Sequence, residues 1–443
     1  MAAACAVLLA LLLAAVVAAA DRTDRSFGAA GVASLPIPPE AQKLLVAPII
    51  LDLAADPNGG MVAALGDNSG HSQYIGAARL RPDGSLDPSF GVGGFAEAVG
   101  VRKGVVTGLR ASQAQAVAVQ PDGKVVVAGY RTASSSGLKS APILVRFRSD
   151  GTLDKSFGEG GSVWPLPAQA RDEALHAVAI QPGGRIVAVG GKREHLEGEP
   201  SALVIGYRAD GSVDRSFGHG GRLLFAARRG EKEYTGFRAV KALPSGKLLV
   251  SGYRQGSLFL VRLTSAGRLD RSFGGGDGEV MIDIGESVGC VKDCGLASPL
   301  AVGPGGGIVA AATRSFGSFV LVRLSPNGQL DPRFGGGGIV RSPSLIRAND
   351  LALDGRGHIL VAGIGEKDVS RLDIRSVFTT LCFRTDGRLD RSFGRNGAKV
   401  LAPREASAAF AALTQPSGRV VVAGGAQYPG GRHRLILTRY LDR

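Results

Sequence analysis

Gly211-Ser-Val-Asp214-Arg-Ser-Phe217-Gly218 is one copy of the phrase that decides the fold of this chain. It occurs as Asp24-Arg-Ser-Phe27-Gly28 near the start, then as Gly84-Ser-Leu-Asp87-Pro-Ser-Phe90-Gly91 and Gly151-Thr-Leu-Asp154-Lys-Ser-Phe157-Gly158. Further copies are Gly267-Arg-Leu-Asp270-Arg-Ser-Phe273-Gly274, Gly328-Gln-Leu-Asp331-Pro-Arg-Phe334-Gly335 and Gly387-Arg-Leu-Asp390-Arg-Ser-Phe393-Gly394. Successive Asp positions stand 63, 67, 60, 56, 61 and 59 residues apart. A period of this size marks stacked supersecondary units, each too small to bury its own apolar faces.

A second phrase lies between the copies of the first. Ala116-Val-Ala-Val-Gln-Pro-Asp-Gly123-Lys-Val-Val-Val-Ala-Gly129 is an example, and Ala177 to Gly190, Val240 to Gly252 and Leu413 to Gly424 repeat it. Two apolar runs flank a Pro-x-Gly turn, in which Pro presets φ and Gly supplies φ > 0, so a hairpin is predicted. The runs are strands A and B. A third run, as in Ile143-Leu-Val-Arg-Phe147, is strand C, and a short run after the Phe-Gly, as in Gly397-Ala-Lys-Val-Leu401, is strand D. Four antiparallel strands per repeat make one propeller blade. The expected fold is therefore all-β, a seven-bladed β-propeller of four-stranded antiparallel blades. The chain ends on a strand C, Leu435 to Tyr440, and opens with an orphan strand D near Val32 to Leu35. Pairing the N-terminal strand with the C-terminal blade would close the ring and hide two sheet edges.

The two phrases together resemble the bacterial delta-60 repeat family, over essentially all of the chain after the first twenty residues. The blade plan is more loosely similar to NHL-type propellers. The resemblance implies a tandem-repeat, often exported protein, and it carries over no catalytic residue.

Residues 1–20 are uncharged and apolar, end in Ala18-Ala19-Ala20, and precede the polar Asp21-Arg22-Thr23-Asp24-Arg25. This reads as a signal peptide cut after Ala20, although the region before the apolar core lacks Lys and Arg. An uncleaved anchor is the alternative, since about 20 apolar residues just span a bilayer. Residues 21–443 form a single propeller domain on this reading, secreted or held in the cell envelope, with no stable membrane insertion after cleavage. The net charge is +14, but the basic residues are dispersed and form no dense run. That pattern fits an Arg-rich polar surface better than a polyanion site, and no nucleic-acid partner is expected. Cys290 and Cys294 flank a three-residue spacer, which suits a local disulfide in an exported chain better than zinc, for which no second ligand pair is evident. Cys382 lies on a strand and is expected to be a buried, inert thiol.

The repeated Asp is expected to cap its own turn or pair with an Arg on strand C, rather than to join a calcium ring, which needs six to eight converging oxygens. The strand-C arginines are Arg79, Arg146, Arg262, Arg323 and Arg439, with Gly206 and Cys382 at the other two positions. The seven Phe are expected to wedge between blades.

Function then falls to the face built from the variable B–C and D–A loops, and to the mouth of the central channel. Candidate ligand-binding residues there are His176, His195, Glu197, Glu233, Tyr234, Tyr428, Arg432 and His433. No metal, cofactor or catalytic set is identified: the six His are scattered, and neither a nucleophile elbow nor a phosphate loop is present. The expectation is an exported, monomeric, non-enzymatic binding or scaffold module for an extracellular protein or glycan. The alternative is a propeller lyase or hydrolase with its site at the channel mouth.

Overall fold

The computed structural model describes residues 22–37, 47–67, 73–98, 110–132, 140–163, 173–192, 201–226, 235–285, 298–314, 318–342, 346–367, 375–401, 406–428 and 431–442. The proposed signal peptide, Cys290, Cys294, His195, Glu197, Glu233 and Tyr234 lie outside them.

Seven sheets form, each with strands A to D side by side in that order, and in six of them this is also the order along the chain. In blade 1 these are Pro48–Ala55, Met61–Asp67, Gly76–Leu80 and Phe95–Glu97. Strand A of blades 2 to 7 is Arg110–Val119, Glu173–Ile180, Gly236–Ala242, Leu300–Val302, Ile346–Leu353 and Ser407–Thr414. Blade 2 gains a fifth, two-residue strand, Gln73–Tyr74, which pairs parallel with Ser112 and Gln113. Blade 7 is assembled from both ends of the chain. Val32–Leu35 supplies its strand D and pairs antiparallel with Arg432–Tyr440, from Val32↔Thr438 to Leu35↔Leu435.

The strand B runs are apolar along their whole length because both faces are covered. Every residue of Met61–Asp67 and of the strand C Ser201–Tyr207 is buried. The hydrophobic clusters lie between blades rather than within them. Leu249, Tyr253, Leu258 and Leu260 of blade 4, for instance, pack on Ile308, Ala310, Val320 and Val322 of blade 5. The final Gly of the Val-Val-Val-Ala-Gly phrase has a steric cause. Strand A bulges opposite it, and in blade 3 the register slips between Leu175 and Ala177. A Cβ on Gly190 would stand 1.9 Å from the Ala174 carbonyl oxygen.

The Asp of the phrase performs both of its expected tasks in most blades. Asp154 Oδ1 accepts bonds from the Ser156 amide and hydroxyl, and Oδ2 accepts one from Arg146 Nε at 2.9 Å. Arg262–Asp270 (2.6 Å), Arg439–Asp24 (2.9 Å) and Arg323–Asp331 (3.6 Å) repeat the pairing. Where strand C lacks its arginine, a guanidinium arrives from elsewhere. Arg185 reaches Asp214 at 2.7 Å in blade 3, and Arg22 of the N-terminal segment reaches Asp390 at 2.6 Å beside Cys382. Blade 1 departs from the pattern: Arg79 pairs with Asp56 of the A–B turn at 2.9 Å, and Asp87 caps Ser89.

These guanidiniums also join neighbouring blades. Arg185 donates to the Ser265 carbonyl of blade 4, Arg262 to Pro326 of blade 5, and Arg439 to Pro82 of blade 1. Part of the dispersed positive charge thus serves structure. The seven Phe of the phrase are 0–1% exposed and act as the expected wedges. A Cβ on Gly84 would meet the Phe27 ring at 2.5 Å, so the close approach and the positive φ of this turn both require glycine. Cys382 is buried, and burial pushes its thiol up to about 12, which keeps it protonated and unreactive.

Candidate ligand site in the central channel

The strand A edges face the axis and enclose a channel of about 790 Å³. Its wall takes residues from all seven blades, and the strand A bulge decides which. At each bulge an extra residue interrupts the pairing, so the side chains on either side of it are re-aimed. In blades 1 to 4, 6 and 7 the extra residues are Leu51, Gln115, His176, Arg238, Asn349 and Phe410; in blade 5 the A–B pairing begins only at Leu300, and Ser298 holds the equivalent position in the wall. The positions after them are Asp52, Ala116, Ala177, Ala239, Pro299, Asp350 and Ala411.

His176 therefore stands in the channel wall, in contact with Arg238 of the next blade at 2.8 Å from Nε2 to the guanidinium. Because Arg can only donate, Nε2 is the accepting nitrogen of a neutral imidazole in this contact. His433 is half-buried and lines a side cavity of about 160 Å³, which shares Ile364 and Phe410 with the channel wall. Arg432 is exposed on the rim, paired in register with Tyr428. Tyr428 packs half-buried against the cluster between blades 6 and 7, a structural placement. The structure brings His176 and His433 to the channel end and leaves Arg432 and Tyr428 on the outer B–C turn of blade 7.

Sequence reading missed Asp52, Asp350, Arg238, Lys241 and Asn349, all in the channel wall. The available signal was polarity inside an apolar strand: Asp52 and Asp350 stand where the other repeats have Ala116, Ala177, Ala239, Pro299 and Ala411. Each carboxylate bridges two blades. Asp52 accepts the Leu53 amide at 2.8 Å and the Val117 amide of blade 2 at 2.9 Å. Asp350 accepts the Leu351 amide at 2.8 Å and the Ala412 amide of blade 7 at 2.7 Å.

Both carboxyls lie deep in the ring, and burial raises both above the usual range. For Asp350 the result is about 7, with Lys241 pulling down and the charge of Asp52 pushing up. A carboxyl raised in the folded state holds its proton there over a window where the unfolded chain has released it. Its contribution therefore weakens stability as pH rises from about 4 to about 7. Asp350→Asn is expected to flatten that slope, measured as the denaturant midpoint from pH 5 to pH 8. An unchanged slope would mean that Asp350 does not titrate in this window.

Among the described residues, no group of three or more His, Cys, Asp or Glu is arranged to hold a metal ion. No helix among them is long and apolar enough to cross a membrane.

A family model described as "Domain of unknown function (DUF5122) beta-propeller" matches residues 61–90, 120–157, 243–273 and 306–334. Each matched segment ends on the Phe of the phrase. No curated protein matches the chain. Among solved structures, the polysaccharide lyase Uly1 is similar at 10% identity and a TM-score of 0.45, over 86% of this chain and 88% of that one. The NanB sialidase of Streptococcus pneumoniae is similar at 12% identity and a TM-score of 0.41, over 89% and 68%. The Dos1 propeller is similar at 9% identity and a TM-score of 0.41, over 88% and 92%. The four matched repeats and the closed ring of seven blades make this chain a tandem-repeat β-propeller.

Proposed function

We propose that the protein is an exported binding module that takes its ligand, an extracellular glycan or protein segment, at the mouth of the central channel. The observation that carries this reading is the bulge ring. It places Gln115, His176, Arg238 and Asn349 in the channel wall, whereas the repeated Arg and Asp of the opposite turns are engaged in joining blades. Channels lined by a few polar groups among apolar ones are the usual form of a ligand site. An enzyme would need a group that moves a proton at the reacting atom. Asp350 has a suitable pKa, but both of its oxygens are held by backbone amides that tie blade 6 to blade 7, which favours binding over catalysis.

A thermal-shift panel on the purified protein tests this, with neutral and acidic glycans, peptides, calcium and polyanions at low and moderate salt. One class is expected to give a saturable rise in Tm that survives salt and is lost in Gln115→Trp, which fills the mouth. Shifts confined to polyanions and erased by salt would show the net charge acting non-specifically and would overturn the reading. A panel with no shift would overturn it too.

A further inference from the structure

The ionisable groups of the channel wall are unevenly placed. Asp52 of blade 1 and Asp350 of blade 6, the latter with Arg347 nearby in sequence, lie on one arc, and Arg238, Lys241 and His176 occupy blades 3 and 4 with no lining carboxyl among them. The carboxylate side also displays the spacing of the ring. One carboxylate, Asp52, spans the Leu53 and Val117 amides of two adjacent inner strands, and Asp350 spans Leu351 and Ala412 in the same way. Neighbouring amides at this level therefore stand one carboxylate apart.

Val178 of blade 3 and Val240 of blade 4 lie at the same level. Val117 pairs with Val127 in strand B, two positions after the bulge, and Val178↔Ala188 and Val240↔Val250 are the equivalent pairs. Their amides thus point to the lumen as the Val117 amide does. No side chain among the described residues caps them, because Ala177 and Ala239 stand where blades 1 and 6 have Asp. Lys241 follows Val240 directly, and its charge is felt by both Asp52 and Asp350.

We propose that blades 3 and 4 form a seat for a carboxylate of the ligand, which accepts hydrogen bonds from the Val178 and Val240 amides and is neutralised by Lys241 and Arg238. This rests on the channel being the ligand site, and it names the chemistry recognised there. The ligand oxygens take the place that Asp52 fills between blades 1 and 2. Oriented amides with adjoining cations favour an anion, and a planar two-oxygen group fits two amides so spaced.

The test is calorimetric titration at moderate salt with matched probes: glucuronate oligosaccharides against neutral glucose ones, and a short peptide with a free C-terminus against its C-terminal amide. The two pairs distinguish a sugar from a peptide source of the carboxylate. The acidic member of at least one pair is expected to bind at least about tenfold more tightly. Lys241→Met is expected to weaken that binding by about tenfold. Ala177→Asp is expected to abolish it by seating an internal carboxylate on the same amides, and Ala239→Asp, which also takes the Val240 amide, serves if the first variant fails to fold. Equal binding of both members of each pair would overturn the seat while leaving the channel as a ligand site. Carboxylate binding unchanged in Lys241→Met and either Asp variant would place the carboxylate elsewhere and overturn the seat. Absence of binding by every probe would overturn it as well, and the panel on the Gln115→Trp variant then decides separately whether the channel takes any ligand.

Discussion

Phe27→Ala is expected to destabilise the fold by about 3–5 kcal/mol, the usual range for emptying a large buried aromatic site. Phe27 is fully buried, its ring lies under the Gly84 turn of blade 1, and the Arg439 guanidinium covers it at 4.7 Å. It belongs to a cluster that joins the N-terminal segment (Ala33, Leu35) to blade 1 (Ile50, Met61) and blade 7 (Leu435, Leu437). The loss falls on the one seam of the ring that is not made by continuous chain. Once the N-terminal strand detaches, Arg432–Tyr440 becomes an open sheet edge prone to pairing with other molecules. Denaturant unfolding with size-exclusion chromatography checks this against Phe273→Ala, an equally buried wedge in the middle of the ring. Phe27→Ala alone is expected to self-associate and to be cleaved first within residues 22–37 in limited proteolysis. A cost below about 1 kcal/mol would show that the wedge does not hold the seam.

Asp154→Ala is expected to cost about 3–5 kcal/mol, the range for removing one partner of a buried ion pair. Arg146 is 5% exposed and lies over the Phe157 ring at 4.4 Å, so its charge would lose its partner in a site that water hardly reaches. Its remaining bonds to Gln120 and the Ala209 carbonyl place the expected cost at the low end. Asp87→Ala is the internal control. It removes the same residue of the same phrase, but in blade 1 the arginine is paired with Asp56, so only the turn cap is lost and about 1 kcal/mol is expected. Equal costs for the two variants would refute the distinction. Asp24, Asp154, Asp214 and Asp390 have carboxyls below the usual range: burial opposes the shift, and serine hydrogen bonds with nearby arginines outweigh it. Depressed carboxyls contribute stability that is present above about pH 4 and is lost as pH falls through their folded values. Their pH dependence is opposite in sign to that of Asp350.

The repeat, the four strands of each blade, the ring closure, the Phe wedges and the role of the repeated Asp were all legible from the chain itself. Each depends on local chemistry or on periodicity: turns that need Gly, runs that are apolar because both faces are covered, and a count of phrases with an unmatched strand at each end. The partner choices were less legible. The repeat pattern pointed Arg79 to Asp87 and supplied no partner for Asp390, whereas the folded ring gives Arg79 to Asp56 and brings Arg22 across 368 residues of sequence. Of the candidate site residues, His176 and His433 come to the channel end, and Tyr428 goes into packing.

The amino-acid sequence by itself determined that seven like units must stack and close, because no unit can bury its own faces and the terminal strands complete each other. Only the tertiary structure decided what the channel is. A bulge in strand A re-aims the side chains around it, and a small change of pairing register leaves no mark in composition. The amides of different blades, about 60 residues apart in the chain, become neighbours only when the ring closes around its axis. The contrast between blades with Asp52 or Asp350 and blades with Ala177 or Ala239 acquires meaning at that level, as a carboxylate already present on one side and a place for one on the other.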